Sequence, residues 1–532
     1  MRKRALILGT AAVLAAALMG GCSGGTEEDT QKEETKSATQ AQEKGADAST
    51  LRFVTYWEEG TFDPALWGDG GGCKVGISMY ETLLKFNDDR TLAPSLAESW
   101  EVSDDQKTYT FHLRKGVQFH RGYGEFTSED VAYTLERLSD PEVGATDVKS
   151  RCKVDNIESM DTSDPYTFVV HLKEPDTELF LDFASWYTNI ISKKAYEELG
   201  PSGFGANPVG TGPYEYEQGK PSESYTVKKF EDYWGEPGIL DRVEVTTLTE
   251  ESSSLNAFDA DEVDMIALNS SNSIQKYRNS EDARVEVGVG VGCYYLGMNN
   301  EKAPFDNPKV REAVKYAINY DEMLEDYWQG ELLPPSGYMQ AFCLYAAPVE
   351  ETGFTYEYNP EKAKELLAEA GYPNGFSVKV VAPNDSVSKG PLMVVQQYLS
   401  AVGINAELEL SEFATFIDQV RNGQDDMWFL INGDGYRGDQ WMTSFMSEKI
   451  PGSNWNRYVN PEFDALMKKG FAAMDQEEKS KYFLEAQKLL IQDIPSVPIA
   501  ESTTDYAVKN RVKNFSLNVE GLLEFSKFEL EN

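Results

Sequence analysis

The side chains that most often carry catalysis are scarce in this chain of 532 residues. Its three histidines, His112, His120 and His171, show no two-histidine metal spacing. From residue 51 onward the chain contains neither a GxSxG nucleophile elbow nor a GxxxxGK[ST] phosphate loop. The 89 acidic residues form many carboxylate pairs, so counting does not separate a glycosidase-like pair from a solvated surface. We therefore expect a binding protein without metal or cofactor, and keep a secreted hydrolase as the distant alternative.

Charge and aromatic content narrow the class of protein further. The chain has 49 basic and 89 acidic residues, a net charge of −40, and so lacks the basic footprint of a nucleic-acid-binding protein. Its 28 Tyr, 26 Phe and 9 Trp residues can serve core packing or line an amphipathic pocket. Composition alone leaves both uses of the aromatic residues open. The acidic net charge argues against nucleic acid as a partner.

Cysteine and glycine patterns indicate structure rather than catalysis. Cys73, Cys152, Cys293 and Cys343 form no CxxC pair, which argues against a zinc ribbon or a thioredoxin motif. One or two disulfides and free buried thiols remain alternatives. The segment Gly288–Gly292 lacks the Rossmann spacing and predicts instead that one strand passes closely by another.

The N-terminal region has the pattern of an exported lipoprotein. The apolar run Ala5–Met19 follows a short basic segment, has the length of a signal-peptide core and is too short to span a membrane. The small residues before Cys22 resemble a lipobox, with Met19 where Leu is usual; an ordinary cleaved secretory signal is the alternative. We predict a signal peptide over 1–21 and, over 22–50, a lipidated Cys22 followed by a flexible tether without aromatic residues.

Hydrophobic periodicity and capping residues predict a mixed α/β body. Apolar alternation and short apolar runs indicate strands over 108–114, 164–172, 376–381, 404–410 and 427–431. Thr127, Asn359 and Asp475 stand at N-cap positions of predicted helices, and Thr127 with Asp130 has capping-box spacing. The second half of the chain alternates strands and helices as βαβ units do.

Separated sequence blocks resemble the family 5 extracytoplasmic solute-binding proteins, which serve ABC importers of oligopeptides, dipeptides and nickel. Together they span essentially all of 51–532, in the family's order. Arg121 departs from the family's usual Asp. The blocks are Phe62–Pro64, Tyr80–Leu84, Leu92–Gly116, Phe119–Gly122, Phe126–Val131, Val209–Tyr214, Asp232–Gly235, Glu262–Asp264, Pro304–Asp306, Val310–Ala313, Ala317–Asn319, Glu361–Gly371, Asn460–Leu466 and Ile494–Pro498.

The resemblance implies a bilobal α/β clamp of the type II, cluster C periplasmic-binding-protein kind, with an extra subdomain inserted in the first lobe. Closure of the two lobes would bury the ligand, and the chain would cross between them near residues 292 and 500. The implied bounds are 51–72, 205–292 and 501–532 for lobe I, 73–204 for the inserted subdomain and 293–500 for lobe II.

The resemblance also places ligand contacts in lobe II. Asp434 follows an apolar strand where peptide-binding relatives pair an Asp with the ligand's ammonium group, and a buried ammonium needs such a partner. The alternative for Asp434 is an Asx-turn before Gly435, and Asp439 is expected to cap the next helix. Arg437 would either hold a ligand carboxylate or be a solvated loop residue. The lobe II candidates are Asn432, Asp434, Tyr436, Arg437, Trp441, Trp455 and Arg457.

Lobe I and the second crossing contribute further candidates by position. They are Trp57, Glu59, Tyr80 and Glu501. Trp57 fits a core position equally well. Glu501 stands where peptide binders often have Tyr, a departure that weakens a plain oligopeptide assignment.

We therefore expect a substrate-binding lipoprotein that captures short peptides for an ABC permease and acts as a monomer without enzymatic activity. Within this class, the alternative cargoes are a nickel chelate, an oligosaccharide or another cationic solute. The sequence does not separate a role in import from a role in signal sensing, because the binding step is the same. The long tether favours a Gram-positive surface over a periplasm, with the protein on the extracytoplasmic face of the cell membrane.

Overall fold

The computed structural model describes residues 49–58, 60–67, 73–176, 178–432, 437–473 and 475–531. The predicted signal peptide, Cys22 and the tether as far as residue 48 lie outside the described residues, as do Glu59, Asp434 and Tyr436. The predicted end of the tether at residue 50 is wrong, because the first strand begins at Thr50 and the Ser49 carbonyl accepts the Asp241 N–H at 2.8 Å. Among the residues described, no helix combines the length and apolar character needed to cross a membrane.

The body is mixed α/β, as the sequence predicts. The strands are β1 Thr50–Thr55, β2 Leu84–Phe86, β3 Leu92–Pro94, β4 Ala97–Val102, β5 Thr108–Leu113, β6 Gln118–Phe119, β7 Gly124–Glu125, β8 Ile157–Asp164, β9 Thr167–Leu172, β10 Tyr214–Gly219, β11 Ser224–Lys229, β12 Arg242–Thr247, β13 Met265–Leu268, β14 Ala283–Met298, β15 Phe376–Pro383, β16 Ile404–Ser411, β17 Met427–Asn432, β18 Ser496–Lys509, β19 Val512–Lys513 and β20 Glu529–Leu530. The α-helices are α1 Cys73–Gly76, α2 Ser128–Ser139, α3 Thr146–Arg151, α4 Leu179–Asp182, α5 Lys193–Ala206, α6 Glu251–Asp259, α7 Ser271–Arg278, α8 Pro308–Ala317, α9 Val349–Thr352, α10 Pro360–Glu369, α11 Ser386–Ala401, α12 Phe413–Asn422, α13 Asp439–Thr443, α14 Pro461–Ala472 and α15 Gln476–Asp493.

One sheet of ten strands runs through the body, in the order β10-β11-β12-β1-β13-β18-β14-β17-β15-β16. The two long strands β14 and β18 are antiparallel neighbours at its centre. Strands from residues 50–55 and 214–268 lie on one side of this pair, and strands from 376–432 lie on the other. The long pair therefore joins two halves of the sheet that come from different parts of the chain.

A second sheet, in the order β4-β5-β9-β8, lies within the segment predicted to be inserted. Its alternating strands turn Tyr109, Phe111 and Phe168 inward, where they are almost fully buried. This core is continuous with the apolar residues that pack around β1, β10 and β12. Two separate apolar clusters cover the opposite faces of the other half of the ten-stranded sheet.

Several local predictions are confirmed by the structure. Thr127 and Asp130 form a capping box at α2, and Asn359 and Asp475 accept backbone N–H groups at the starts of α10 and α15. The strand predicted over 164–172 is wrong in its first part. Asp164 ends β8, and a turn at Pro165 and Tyr166 precedes β9.

Disulfides and free buried thiols were the two alternatives for the cysteines, and the structure shows free buried thiols at two positions. Cys152 and Cys293 are free and buried, and burial raises the pKa of both thiols above its ordinary value. Cys343 is also buried. The side chain of Cys73 lies outside the described part of the structure.

Candidate functional site

The carboxyl ends of β1 and β17 point at each other across the centre of the ten-stranded sheet. β1 is parallel to β13, β13 is antiparallel to β18, and β17 joins from the far side antiparallel to β14. Both ends therefore face the point where β14 and β18 pass from one half of the sheet to the other. Crevices outside the carboxyl ends of strands are the usual ligand sites of α/β sheets.

Glycines let the two long strands pass closely at this crossover, as the sequence predicts. A Cβ atom on Gly290 would lie 2.3 Å from the backbone oxygen of Ser502, and one on Gly292 would lie 2.8 Å from a side-chain carbon of Ile431. The regular β14–β18 register is interrupted between Val289 and Cys293. There the Ser502 hydroxyl donates to the Gly292 carbonyl at 2.9 Å, which replaces a strand-to-strand bond.

Asn432 of β17 and Glu501 of β18 flank β14 at the crossover. Cys293 of β14 is the register partner of both Asn432 and Glu501, so these three side chains share one face of the sheet. The Glu501 carboxylate is buried and accepts a bond from the Ser336 backbone N–H at 2.8 Å and another from the Ser336 hydroxyl. Burial raises the pKa of Glu501, and the bonds from Ser336 oppose that rise. Glu501 thus holds the segment around Ser336 against the crossover.

Gln340 is a candidate that the sequence reasoning missed. Its side chain is 3 % exposed, and its Nε2 donates to the Gly292 carbonyl at 2.9 Å. Its Oε1 has no hydrogen-bond partner, and an unsatisfied buried acceptor costs free energy that a ligand donor would recover. Gln340 belongs to no family block in the sequence, so only its place beside Gly292 identifies it.

Arg437 is neither solvated nor open to a ligand, contrary to both sequence-based alternatives. Its guanidinium is 3 % exposed and contacts three carboxylates. Nη1 donates to Asp182 at 2.8 Å, Nη2 donates to Glu178, and Nε donates to Asp439 at 3.1 Å. Glu178 and Asp182 belong to the α4 region, so Arg437 ties the chain after β17 to the predicted inserted subdomain.

The surrounding charges extend this contact into what we call the junction cluster. Its members are Lys153, Asp176, Glu178, Asp182, Arg437, Asp439 and Lys479. The Lys479 ammonium lies 3.0 Å from Glu178, and the Tyr345 hydroxyl donates to the same carboxylate at 3.1 Å. Four carboxylates face three cations, so the fully ionised cluster carries one net negative charge.

Burial and charge act in opposite directions on the acids of the junction cluster. For Glu178, burial favours the neutral form, but Arg437, Lys153 and Lys479 together hold its pKa below the ordinary value. For Asp182, burial outweighs Arg437 and Lys153 and raises the pKa to about 6. Burial likewise raises the pKa of Asp439. Asp182 and Asp439 are therefore the acids of the cluster whose pKa values are raised, and lowering the pH favours their neutral forms.

The prediction that Asp439 caps the following helix is wrong. Gly438, with φ of 83°, is the N-cap of α13, and Asp439 is the first helical residue. Its carboxylate binds Arg437 instead, because a buried guanidinium needs nearby negative charge. On the same helix Trp441 is buried, with its ring 4.8 Å from that of Tyr295.

Trp57 and Tyr80 occupy different places in the first half of the sheet. Trp57 lies beyond the carboxyl end of β1 and is half-buried, with its ring 6.2 Å from that of Tyr506 and the Lys74 ammonium 5.1 Å from its centre. Tyr80 is 2 % exposed, and its hydroxyl donates to the Phe62 carbonyl at 2.8 Å. Trp57 thus packs against the first apolar cluster beyond the end of β1, and Tyr80 belongs to the same core.

Trp455 and Arg457 lie at the opposite end of β17 from Asn432. The Trp455 ring packs 5.7 Å from Trp428, and the Arg457 guanidinium donates to the Arg421 carbonyl. A six-residue strand spans about 17–20 Å, so the structure does not bring these two residues together with Asn432 and Arg437. The described contacts bring Asn432, Glu501 and Gln340 to the crossover. Arg437 lies in the junction cluster, and Trp441 packs in the core.

The described residues form no group of three His, Cys, Asp or Glu side chains arranged to hold a metal ion. The acids of the junction cluster are instead paired with Arg437, Lys153 and Lys479. The crossover thus presents the vacant Gln340 amide oxygen beside the end of β17, and the junction cluster is a charged contact between two parts of the chain.

Comparisons with known proteins agree with this geometry. The family model for bacterial extracellular solute-binding proteins, family 5 (middle), matches residues 91–453. Heme-binding protein A of Haemophilus influenzae is 28% identical over 512 residues, covering 90% of this chain and 92% of that protein. Glutathione-binding protein GsiB of Escherichia coli strain K12 is 31% identical over 454 residues, covering 82% of this chain and 86% of that protein.

A solved structure shows the same fold. It is that of the ABC transporter-associated periplasmic binding protein DppA from Helicobacter pylori in complex with the peptide STSA. It matches with a TM-score of 0.75 and 27% identity, covering 91% of this chain and 98% of that one. The fold is thus the bilobal type II fold of periplasmic binding proteins, and the chain belongs to the family 5 bacterial extracellular solute-binding proteins.

Proposed function

We propose that this protein captures short peptides at the crossover between its two lobes and delivers them to the permease of an ABC importer. The observation that carries the proposal is the meeting of the β1 and β17 carboxyl ends at the glycine crossover, beside the unsatisfied Gln340 amide. Strand ends and backbone groups suit the main chain of an extended peptide, which gives tolerance of side-chain sequence. The proposed lobes have the bounds predicted from the sequence.

In this proposal Asp434 binds the ammonium group of the peptide's first residue. In the sequence Asp434 lies between Asn432, which ends β17, and Arg437, which is held in the junction cluster. Tyr436, which precedes Arg437, and Glu59, which follows β1 by four residues, are proposed as further contacts.

The identity of the cargo is the finer part of the proposal. The related proteins are a heme-binding protein, a glutathione-binding protein and a periplasmic binding protein solved with the peptide STSA. Of the alternatives, glutathione is itself a small peptide with a free ammonium group, whereas heme, a nickel chelate and an oligosaccharide lack one. A dependence of affinity on the ammonium group therefore separates the peptide proposal from these last three.

The experiment is a thermodynamic cycle on the full chain by isothermal titration calorimetry. The ligands are a tetrapeptide with a free amino terminus and the same peptide acetylated there; the proteins are the wild type and Asp434→Asn. We expect acetylation and the substitution each to weaken binding by about 1.5–3 kcal/mol, the range for hydrogen bonds to charged groups. Because both changes remove the same ion pair, the acetylated peptide should bind both proteins alike.

The matched control is Asp418→Asn, which removes one negative charge from an exposed position on α12. It should bind both peptides as the wild type does. Full additivity of acetylation and Asp434→Asn would contradict the role of Asp434. No binding of either peptide, together with recovery of heme, a metal chelate or a sugar from the purified protein, would contradict the peptide proposal itself.

We further propose that Cys22 carries a lipid that holds the protein on the extracytoplasmic face of the cell membrane, on a Gram-positive surface, where it acts as a monomer. The supporting observations are the apolar segment before Cys22 and the polar segment after it. Labelling of the wild type by radioactive palmitate, and none of Cys22→Ser, is the expected result. Equal labelling of both proteins would contradict this site.

A further inference from the structure

A cavity lies between the first half of the ten-stranded sheet and the predicted inserted subdomain, away from the crossover. Its volume is about 240 Å³. Most of its walls come from three parts of the chain, around residues 77–86, 184–189 and 518–526, and the rest comes from Ser95, Pro213, Tyr233 and Trp234. No residue of the crossover crevice or the junction cluster lines it, so its occupancy is separable from that of the ligand crevice.

The Glu81 carboxylate forms one wall of the cavity. It accepts a bond from the Tyr233 hydroxyl at 2.9 Å and one from the Trp234 indole N–H at 2.8 Å. These two donors are neutral. Burial, opposed by the hydrogen bonds, raises the pKa of Glu81 to about 7.

Glu520 contributes a second carboxylate from the C-terminal segment. It is 9 % exposed, and its Oε1 accepts a bond from the Ser185 hydroxyl at 2.8 Å. Burial likewise raises the pKa of Glu520 to about 7. Neither Glu81 nor Glu520 forms an ion pair with any described cation.

Asn189 is the independent indication of a ligand. Its side chain is 1 % exposed and lines the cavity, and neither its amide nitrogen nor its amide oxygen has a hydrogen-bond partner. Buried amides are almost always hydrogen-bonded, because an unsatisfied group retains its full desolvation cost. An amide with two vacant positions at the wall of an acidic cavity points to a polar occupant.

We propose that this cavity is a second binding site, for a small organic cation that carries one or two primary ammonium groups. Three lining side chains are carboxylates, Glu81, Glu520 and Glu524, and one is an ammonium, that of Lys85. The Glu524 carboxylate is already paired with Lys527 at 2.7 Å. Glu81 and Glu520 therefore remain to accept hydrogen bonds from an ammonium group, and Asn189 supplies a further acceptor.

Size and wall chemistry restrict the ligand further. The volume is below the 300–1,000 Å³ typical of drug-sized ligands, so a short alkylamine or alkyldiamine fits the site better than a peptide does. The rings of Trp186 and Trp234 add apolar surface for the alkyl part. The Arg114 guanidinium lies 4.1 Å from the centre of the Trp234 ring.

The test is calorimetric titration of the full chain with 1,4-diaminobutane at about pH 8. Its neutral counterpart, 1,4-butanediol, has hydroxyl groups in place of the ammonium groups. We expect the diamine to bind and the diol to show no measurable heat of binding. Glu520→Gln keeps the bond from Ser185 but removes the charge, and should weaken diamine binding about 10- to 100-fold.

The matched control is Glu136→Gln, which removes one negative charge from an exposed position on α2 and should bind like the wild type. Asn189→Leu is a second variant, with the same number and branching of side-chain heavy atoms. It should weaken diamine binding while raising the melting temperature of the unliganded protein, because it removes an unsatisfied buried amide. Glu520→Gln and Asn189→Leu should both bind peptide as the wild type does. This result would keep the second site distinct from the crossover crevice.

The pH dependence has a definite sign. The titratable and charged groups facing the cavity are Tyr80, Glu81, Lys85, Tyr233, Glu520 and Glu524, with Arg114 behind Trp234. An ammonium ligand binds the ionised carboxylates, so diamine affinity should fall as the pH is lowered from 8 to 6. Absence of binding at millimolar diamine, equal binding of the diol, or equal affinities in Glu520→Gln and Glu136→Gln would each overturn the proposal.

Discussion

Replacing Arg437 by methionine removes the only guanidinium in the junction cluster while retaining most of the side-chain volume. Glu178 then keeps its ion pairs with Lys153 and Lys479, whereas Asp182 and Asp439 lose the ion pair that each makes with Arg437. The net charge of the fully ionised cluster changes from −1 to −2. Because Glu178 and Asp182 are each 1 % exposed, water cannot replace the lost partner without movement of the chain.

The size of the effect follows from this burial. Removing one partner of a buried ion pair costs about 3–5 kcal/mol, since the remaining charge is left uncompensated. This cost applies to the state in which the α4 region contacts the segment after β17, which is the closed state of the proposed clamp. The ratio of closed to open molecules should therefore fall by about two to three and a half orders of magnitude.

Small-angle X-ray scattering of the full chain measures the opening directly. We expect a larger radius of gyration for Arg437→Met than for the wild type, and a weaker apparent affinity for peptide once the open state predominates. Arg421→Met is the matched control, because Arg421 is exposed on α12 and lies outside the cluster. It should leave both quantities unchanged.

A double-mutant cycle with Asp182→Asn isolates the contact whose atoms lie 2.8 Å apart. The free-energy changes of Arg437→Met and Asp182→Asn should be non-additive at pH 7, by about 0.5–3 kcal/mol. The coupling should decrease at pH 5, where Asp182, whose pKa is about 6, is mainly protonated. Additive effects at pH 7, together with an unchanged radius of gyration in Arg437→Met, would refute the reasoning.

Two further predictions concern stability. The pKa of Glu520 is about 7 in the folded protein against 4.5 as its ordinary value, so folding takes up a proton between these values and stability falls as the pH rises from 4.5 to 7. In urea unfolding, the free energy of unfolding of Glu520→Gln should exceed that of the wild type by about 3 kcal/mol at pH 8 and by little at pH 4. A difference that does not depend on pH would contradict this reasoning. Gly290→Ala should lower the melting temperature and weaken peptide binding, because its Cβ would meet the Ser502 backbone oxygen at 2.3 Å. Gly203→Ala, inside α5 and against a side-chain atom at 3.3 Å, is the control, and an equal loss in both variants would contradict the crossover argument.

Local patterns in the sequence were sufficient for much of the fold. The caps at Asn359 and Asp475 depend on bonds within three residues, so the sequence alone identifies them. The glycines at the crossover were interpretable for a similar reason, since their spacing within one strand indicates close passage of another. The family blocks added the overall topology, which no local pattern contains.

The role of Arg437 illustrates what sequence patterns do not reveal. Its partners Glu178 and Asp182 lie 259 and 255 residues away in the chain. No periodicity links such positions, and 89 acidic residues offer too many possible partners. The sequence also favours a helix cap for Asp439, although its partner Arg437 is only two residues away. The ion pair becomes apparent only when the burial of the Arg437 guanidinium is known.

The position of β18 near the end of the chain has a consequence for the order of folding during synthesis and export. β13 and β14 are joined in the sheet only through β18, which spans Ser496–Lys509. A chain that has emerged only as far as residue 495 can pair its other strands in two separate groups, each with an exposed edge where β18 belongs. The sheet is completed only when residues 496–509 are available, so a nascent chain that ends before them stays open to unfolding and to passage through a narrow translocation channel.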